Sequence, residues 1–511
     1  MWFHREFAFL PVKICVIFAF YVFAKPMKYI QGDMEPFNQA PTKTDILRFK
    51  VKPDGKSSIE YYFSEKVRKG IEIEWVSADG SGKGRFTPDE NGKCTQTVNT
   101  DTWIYVYYTY QESDTYSAYL SRDAYSFNYN SNSDIKILTG GDRIITSLDV
   151  SQSTALTELV CTANQLTSLD ASKNTALEKL YCDHNQLTSL DVSGCTALTE
   201  LECHNNQLTS LDVSGCIALM NLQCDWNQLT VLDVSGCTAL EKLYCDHNQL
   251  TALDVSQNTA LAVLDCWYNQ LTKLDASKNT ALEKLYCSRN QLTALDVSPN
   301  TALTELYCDN NQLTALDVSQ NIALHYLVCY DNQLTSLDVS KNTVLTTLSC
   351  GGNPLTSLDV SKNTYLTELY CYNNQLRSLD VSKNTYLTEL YCYNNHIPLS
   401  DLYKAYIQNS DWEWFVAYGQ SDTLTLPINQ VLDLSSERLL GESLSTFEIS
   451  PDAYTENNFT FQFKKAQVYT LSIENSGIIN HRPESCDDDS LDGTVPTFTY
   501  HISVESEKSA R

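Results

Sequence analysis

LTALDVSQNTALAVLDCWYNQ, residues 250–270, is one copy of a unit that decides how the whole chain reads. The unit follows L-T-x-L-D-V-S-x-N-T-A-L-x-x-L-x-C-x-x-N-Q. It runs twelve times without insertion or deletion from Ile145 to His396, so about half of the 511 residues repeat at a fixed period of 21. A period of this length marks a solenoid, built from rungs that cannot bury their own apolar faces and do so by stacking. Function in such an architecture is expected on a surface rather than in a cleft.

Each unit carries two leucine pairs, here Leu250 with Leu253 and Leu261 with Leu264. At a strand's period of two, Leu253 and Val255 point inward with Asp254 outward, and Leu264 and Cys266 point inward with Asp265 outward. Two short strands or strand-like turns per rung are therefore predicted. Rungs about 4.8 Å apart would give a stack roughly 55 to 60 Å long.

The L-x-x-L-x-C-x-x-N-Q-L segment resembles the short bacterial leucine-rich repeat in which Cys replaces the usual strand leucine, as in internalin J-like surface proteins. The resemblance covers residues 145–396. It implies a mainly β fold, a leucine-rich-repeat solenoid of twelve 21-residue rungs flanked by small β-sandwich-like domains. It also implies an exported binding or adhesion protein, although one scaffold serves many partners.

Composition fits an exported chain of several domains. The formal charge of −27 argues against a nucleic-acid partner, since an acidic surface repels phosphates. No segment supplies the roughly 20 apolar residues of a membrane-spanning helix. At the amino terminus Arg5 and Lys13 precede the apolar run Ile14 to Ala24, and Val22-Phe23-Ala24 has the pattern of a cleavage site, so residues 1–24 read as a signal peptide. A signal-anchor is the alternative. The protein is expected to be secreted or at the cell surface, by a means of attachment that the sequence does not spell out.

Of 18 cysteines, twelve recur at the inward position of successive rungs, from Cys161 and Cys182 to Cys371 and Cys392. Stacked neighbours have parallel Cβ vectors, a poor geometry for disulfides, so a ladder of free thiols acting as small core hydrophobes is expected. Cys195, Cys216 and Cys237 stand where other rungs have Asn, as at Asn174 or Asn258, and form a second short ladder at a turn. Cys94 and Cys486 lie in the flanks, and their pairing is open.

The asparagines from Asn164 to Asn395 close the first turn of each rung and read as scaffold, bonding backbone that a buried bend would orphan. The outward carboxylates from Asp149 to Asp380 stand in register and would repel unless each accepts local bonds, for which Ser151 and Ser193 are suited. Calcium bridging is the alternative, but the glycine-rich calcium nonapeptide is absent.

Comparing the copies separates architecture from recognition. The Leu-Asp-Val-Ser side hardly changes, whereas the outward positions around Leu-x-Cys vary. These carry Tyr181, Tyr244, Trp267, Tyr286, Tyr307, Tyr326, Tyr330, Tyr370, Tyr372, Tyr391 and Tyr393, interleaved with Glu158, Glu200, Glu202, Asp225, Asp246, Asp265, Glu305 and Asp309. Exposed aromatics offer large contact area at low entropy cost, so these tyrosines and Trp267 are the candidate ligand-binding residues. The competing reading is that stacked tyrosines merely stabilise neighbouring strands. The rung with Thr347, Ser349, Gly351 and Gly352 is bare, and predicts a notch rimmed by Tyr326, Tyr330, Tyr370 and Tyr372.

No catalytic motif appears: no nucleophile elbow, Walker loop, dinucleotide fingerprint or zincin helix. The pairs Asp183-His184, one rung before His204, and Asp246-His247 suggest transition-metal ligands, but the duplicated segments at 178–185 and 241–248 explain the recurrence as copying of whole rungs. Zinc usually needs three or four ligands, so neither a metal nor a cofactor is expected.

The flanks read as β domains. Residues 43–140 alternate with Pro-Asp-Gly and Asp-Gly turn signals, as in a small sandwich that shields the first rung. Residues 397–422 read as a helical lid, with Ser400 as a candidate cap and Trp412, Trp414 and Phe415 against the core. Residues 423–505 read as an immunoglobulin-like module. The acidic stretch Asp487, Asp488, Asp489 and Asp492 reads as a polar loop rather than a calcium site. The sequence thus predicts a non-enzymatic protein that binds an extracellular protein, with a glycan ligand or a spacer role as alternatives.

Overall fold

The computed structural model describes residues 146–409 apart from 152, 153 and 155, a discontinuous set from 412 to 505, and the backbone of short strands between 47 and 145. Residues 1–24, read above as a signal peptide, the acidic stretch 487–492 and Cys486 lie outside the described residues, and at Cys94 only the backbone strand is described.

Rungs are numbered here 1 to 12 from residue 145 in steps of 21. From rung 2 onward each contributes a three-residue strand, x-Leu-x, such as Lys242–Tyr244, Val263–Asp265 and Lys284–Tyr286. Every strand pairs in parallel with the next at a register of 21, as Leu243 with Leu264 and Leu264 with Leu285. The central leucine and the following cysteine point inward and have no exposed surface. All fifteen described cysteines are free and buried. Burial pushes each ladder thiol far up from its ordinary range, Cys350 and Cys392 to about 12.

The expected second strand forms only in part. Ser168–Asp170 pairs with Ser189–Asp191 in rungs 2 and 3, and beyond them only an isolated bridge joins Asp212 to Asp233. Just after this segment the carbonyls accept from side chains 24 residues ahead, Val255 from the Asn279 amide at 2.9 Å and Val297 from Asn321 at 2.8 Å. A ladder of asparagines thereby ties successive rungs together on this side.

The other asparagine ladder does what the repeat implies. Asn248 donates from Nδ2 to the carbonyls of Cys224 at 3.0 Å and Cys245 at 3.1 Å, while its Oδ1 accepts the Leu229 N–H at 2.9 Å. One side chain thereby closes its own turn and clamps the preceding rung. The outward aspartates accept the N–H two residues on, as Asp254 from Ser256 at 2.9 Å, and hydrogen bonding from the serines holds these carboxyls below the usual range.

Beyond rung 12 a short helix, Leu399–Tyr406, buries Leu399, Leu402 and Ala405. Ser400 is not its cap; Pro398 precedes the helix without a side-chain cap, and Ser400 instead bonds Glu437 through both its N–H and its hydroxyl at 2.8 Å. The aromatic segment that reads as part of a helical lid is a strand: Trp414–Val416 pairs in parallel with Glu389–Tyr391. Phe415 takes the leucine position and Ala417 the cysteine position. Gln420 takes the ladder asparagine's role, donating to Cys392 O at 2.7 Å and accepting from Ile397 N–H at 3.0 Å. The sequence thus hides a thirteenth, degenerate rung.

At the other end Ile135–Thr139 pairs in parallel with Leu156–Val160 of rung 1, and Leu47–Val51 pairs antiparallel with Ile145–Asp149. After Gln420 a four-stranded sheet runs in the order Gln420–Pro427, Thr497–Glu505, Val468–Glu474, Thr446–Ser450, over buried Phe461, Leu471, Ile473, Phe498 and Ile502.

Candidate recognition face

Alternation along x-Leu-x-Cys-x-x-Asn gives the sheet four columns of variable side chains: the two residues flanking the leucine and the two following the cysteine. Residues of one column stand one strand spacing apart, about 4.8 Å, so large side chains must interact with the rung ahead or behind.

Tyr181, Tyr244, Tyr286, Tyr307, Tyr370 and Tyr391 share the column after the leucine, Tyr326 lies in the column before it, and Trp267, Tyr330, Tyr372 and Tyr393 follow the cysteine. Of these eleven, only Tyr326 is classed as exposed, at 40 %. The rest lie half-buried along the sheet. Tyr286 and Tyr307 meet edge to face at 5.1 Å between centroids, and Tyr372 stacks on Tyr393 at 4.9 Å with rings 6° apart. Hydroxyls are also engaged. Tyr181 donates to Glu200 at 2.8 Å, Tyr286 to Glu305, and Tyr370 to Glu389 at 2.5 Å, always a carboxylate one rung ahead. Burial and that carboxylate push the Tyr181 phenol up to about 12, and those of Tyr286 and Tyr370 further. The tyrosine strip is thus held rigid by its own neighbours.

The notch expected in rung 10 is filled. Thr347 and Ser349 are each 8 % exposed, and a Cβ placed on Gly351 would stand 2.7 Å from the ring of Tyr372. The bare residues are what allow that ring to lie flat on the sheet.

A different aromatic cluster escapes a reading that weighs only the strand positions. In rungs 4 to 6 the residue before the ladder asparagine is Trp226, His247 and Tyr268, where other rungs have Asn205, Asn310 or Asn373. The three rings stack: Trp226 on His247 at 3.8 Å and 10°, His247 on Tyr268 at 4.8 Å and 9°. Trp226 and Tyr268 remain 51 % exposed. This column sits in the left-handed region in every rung, with φ of 50° at Trp226 and 51° at Tyr268, a conformation that Asn and Gly tolerate and bulky residues disfavour. The signal was available in the sequence: three consecutive aromatic rings at a position that is asparagine or glycine in five of the other nine rungs and Ala163, His184, Arg289 or Asp331 in the rest.

Beside the stack lie Asp225, Asp246 and Asp265. Burial first, then the charge of Asp246, pushes Asp225 up to about 7 and Asp265 up to about 8. Asp246 bonds His247 Nδ1 at 2.7 Å, and the Trp267 indole N–H is buried with no partner among the described residues. Acidic and aromatic groups therefore adjoin on one stretch of the face.

Among the described residues one group could share a metal ion: Asp183, His184 and His204, whose donor atoms lie within 4.8 Å of one another. The ladder cysteines are free and have no exposed surface. No helix among the described residues is long and apolar enough to cross a membrane.

Residues 175–215 and 280–321 match the family described as Leucine Rich repeats (2 copies). Among solved structures, the chain is similar to the functional domain of InlJ from Listeria monocytogenes, which includes a cysteine ladder. They are 32 % identical over 73 % of this chain and 86 % of that one, with a TM-score of 0.59. It is also similar to a leucine-rich-repeat protein of Leptospira interrogans, at 29 % identity over 51 % and 73 % of the two chains and a TM-score of 0.48. An internalin, inlF, of Listeria monocytogenes matches at 25 % identity over 50 % and 80 %, with a TM-score of 0.45. No curated protein matches the chain.

Proposed function

This chain belongs to the leucine-rich-repeat proteins of the internalin J type that carry a cysteine ladder, and on that premise we propose that it is an exported, non-enzymatic protein whose sheet face binds an extracellular protein. The observation that carries the reading is the exposed Trp226–His247–Tyr268 stack. Its two outer rings, Trp226 and Tyr268, stay half open to solvent although each stacks on His247, on a backbone conformation that large aromatics disfavour. Large aromatics anchored in this way are what bound interfaces concentrate their energy on. The formal charge of −27 favours basic segments of a partner, and the tyrosine strip offers pre-ordered contact area that loses little entropy on binding.

A glycan is the second reading, favoured by the same two half-exposed rings, on which sugar rings could stack, with carboxylates beside them to accept hydroxyl bonds. Parallel extracellular-protein and glycan arrays probed with the chain from residue 25 distinguish the two. Binding to basic proteins that weakens as salt rises supports the first. Binding that survives salt and yields to soluble sugar supports the second, and no hit on either array counts against both.

A further inference from the structure

We propose that Asp183, His184 and His204 form a binding site for a divalent transition-metal ion of the zinc class at the early end of the sheet face. The three donors come from adjacent rungs. His184 Nδ1 lies 2.9 Å and His204 Nε2 3.7 Å from the same oxygen, Asp183 Oδ2. Ligand bonds of 2.0–2.1 Å in a tetrahedral set hold donor atoms about 3.3 Å apart, so the observed separations straddle the required one. Small side-chain rotations would complete the set, leaving a fourth position for water or a partner's side chain.

The two rings are edge to face, 84° apart with centroids at 5.2 Å, rather than stacked, which lets their nitrogens converge on the carboxylate. His204 also has no hydrogen bond of its own among the described residues: Nε2 is beyond bonding distance of Asp183, and Nδ1 is buried without a partner. An ion at Nε2 would give this ring a bond, and two imidazoles with a carboxylate are a donor set that zinc and its neighbours favour over calcium or magnesium. His184 stands at φ 53°, in a left-handed region that His tolerates.

The molecule contains its own control. Residues 241–248 duplicate residues 178–185, and Asp246 bonds His247 as Asp183 bonds His184. One rung on, however, the residue is Trp267 instead of His204, and His247 is sandwiched between Trp226 and Tyr268. Copying explains the two Asp-His pairs. It does not explain the third ligand, which only the first copy has.

The test is a titration of tag-free, chelator-stripped protein with Zn2+ by calorimetry, and with Co2+ by its visible absorption. One ion per chain is expected, with affinity at least about tenfold weaker in His204→Gln and in His184→Gln and unchanged in His247→Gln. His184 is half exposed, so its replacement leaves the fold intact even should His204→Gln disturb it. Absence of binding, or binding that both site variants leave unchanged, would overturn the proposal.

Discussion

The backbone carbonyl of Ser193 lies so close to Gly215 that a Cβ on the glycine would stand 2.5 Å from its oxygen. The same holds for Gly194 under Ser172 and Gly236 under Ser214, the three rungs in which Cys195, Cys216 and Cys237 replace the ladder asparagine. The thiols donate to the same carbonyls that the amide would reach, Cys195 to Ala171 at 3.3 Å and Cys237 to Val213 at 3.4 Å. The Ser-Gly-Cys triplet is therefore one unit, in which a shorter side chain and an absent Cβ go together.

Gly215→Ala is accordingly expected to destabilise the solenoid by about 1–3 kcal/mol, because the clash is with backbone that cannot step aside. Gln257→Gly, at the matching position of an asparagine rung, meets no such constraint, and urea midpoints of the two variants check the contrast.

The cysteine ladder predicts the thiol chemistry of the folded protein. Fifteen described cysteines are buried and free, and burial keeps their thiols protonated. A thiol reagent should label at most Cys15, Cys94 and Cys486 of the native chain, and the ladder only after denaturation. Rapid native labelling of more than three thiols would contradict the packing described.

Asp225 and Asp265 set a pH dependence. Their folded-state pKa values, about 7 and about 8, stand above the ordinary 3.8, so the folded state holds protons that the unfolded state has released. Their contribution is fully present below about pH 4 and is lost as pH rises through 7 to 8. The outward aspartates such as Asp191 and Asp212 have lowered values and act in the opposite sense, only as pH falls below the usual aspartate range. Asp225→Asn and Asp265→Asn should flatten the fall in urea midpoint between pH 5 and pH 8, and an unchanged slope would count against the crowding described.

The solenoid was legible because a strict period carries its own register. Leu264 and Cys266 point inward from any two-residue alternation, and Asn248 could be assigned to a turn from position alone. The thirteenth rung was not, since Phe415, Ala417 and Gln420 preserve the shape of the repeat without its letters, and three aromatics near a helix read as part of it. The second strand column was read too far: the alternation of Leu253 and Val255 is that of a strand, yet the pairing stops after rungs 2 and 3 apart from one bridge. On the sheet face, residue type located the tyrosine columns but not their exposure. The half-burial of Tyr370 depends on Glu389 one rung on, and the openness of Trp226 on a backbone angle that only comparison among the copies hints at.

The Trp226–His247–Tyr268 stack is the proposed principal contact, and Trp226→Asn with Tyr268→Asn tests it directly. Asparagine suits the left-handed backbone at both sites, so the double variant should be at least as stable as the parent, which rules out misfolding as the cause of lost binding. With a ligand identified on the arrays, the variant is expected to bind more weakly by about 2 kcal/mol or more, roughly thirtyfold in Kd. A fully folded variant that binds with the affinity of the parent would contradict the claim.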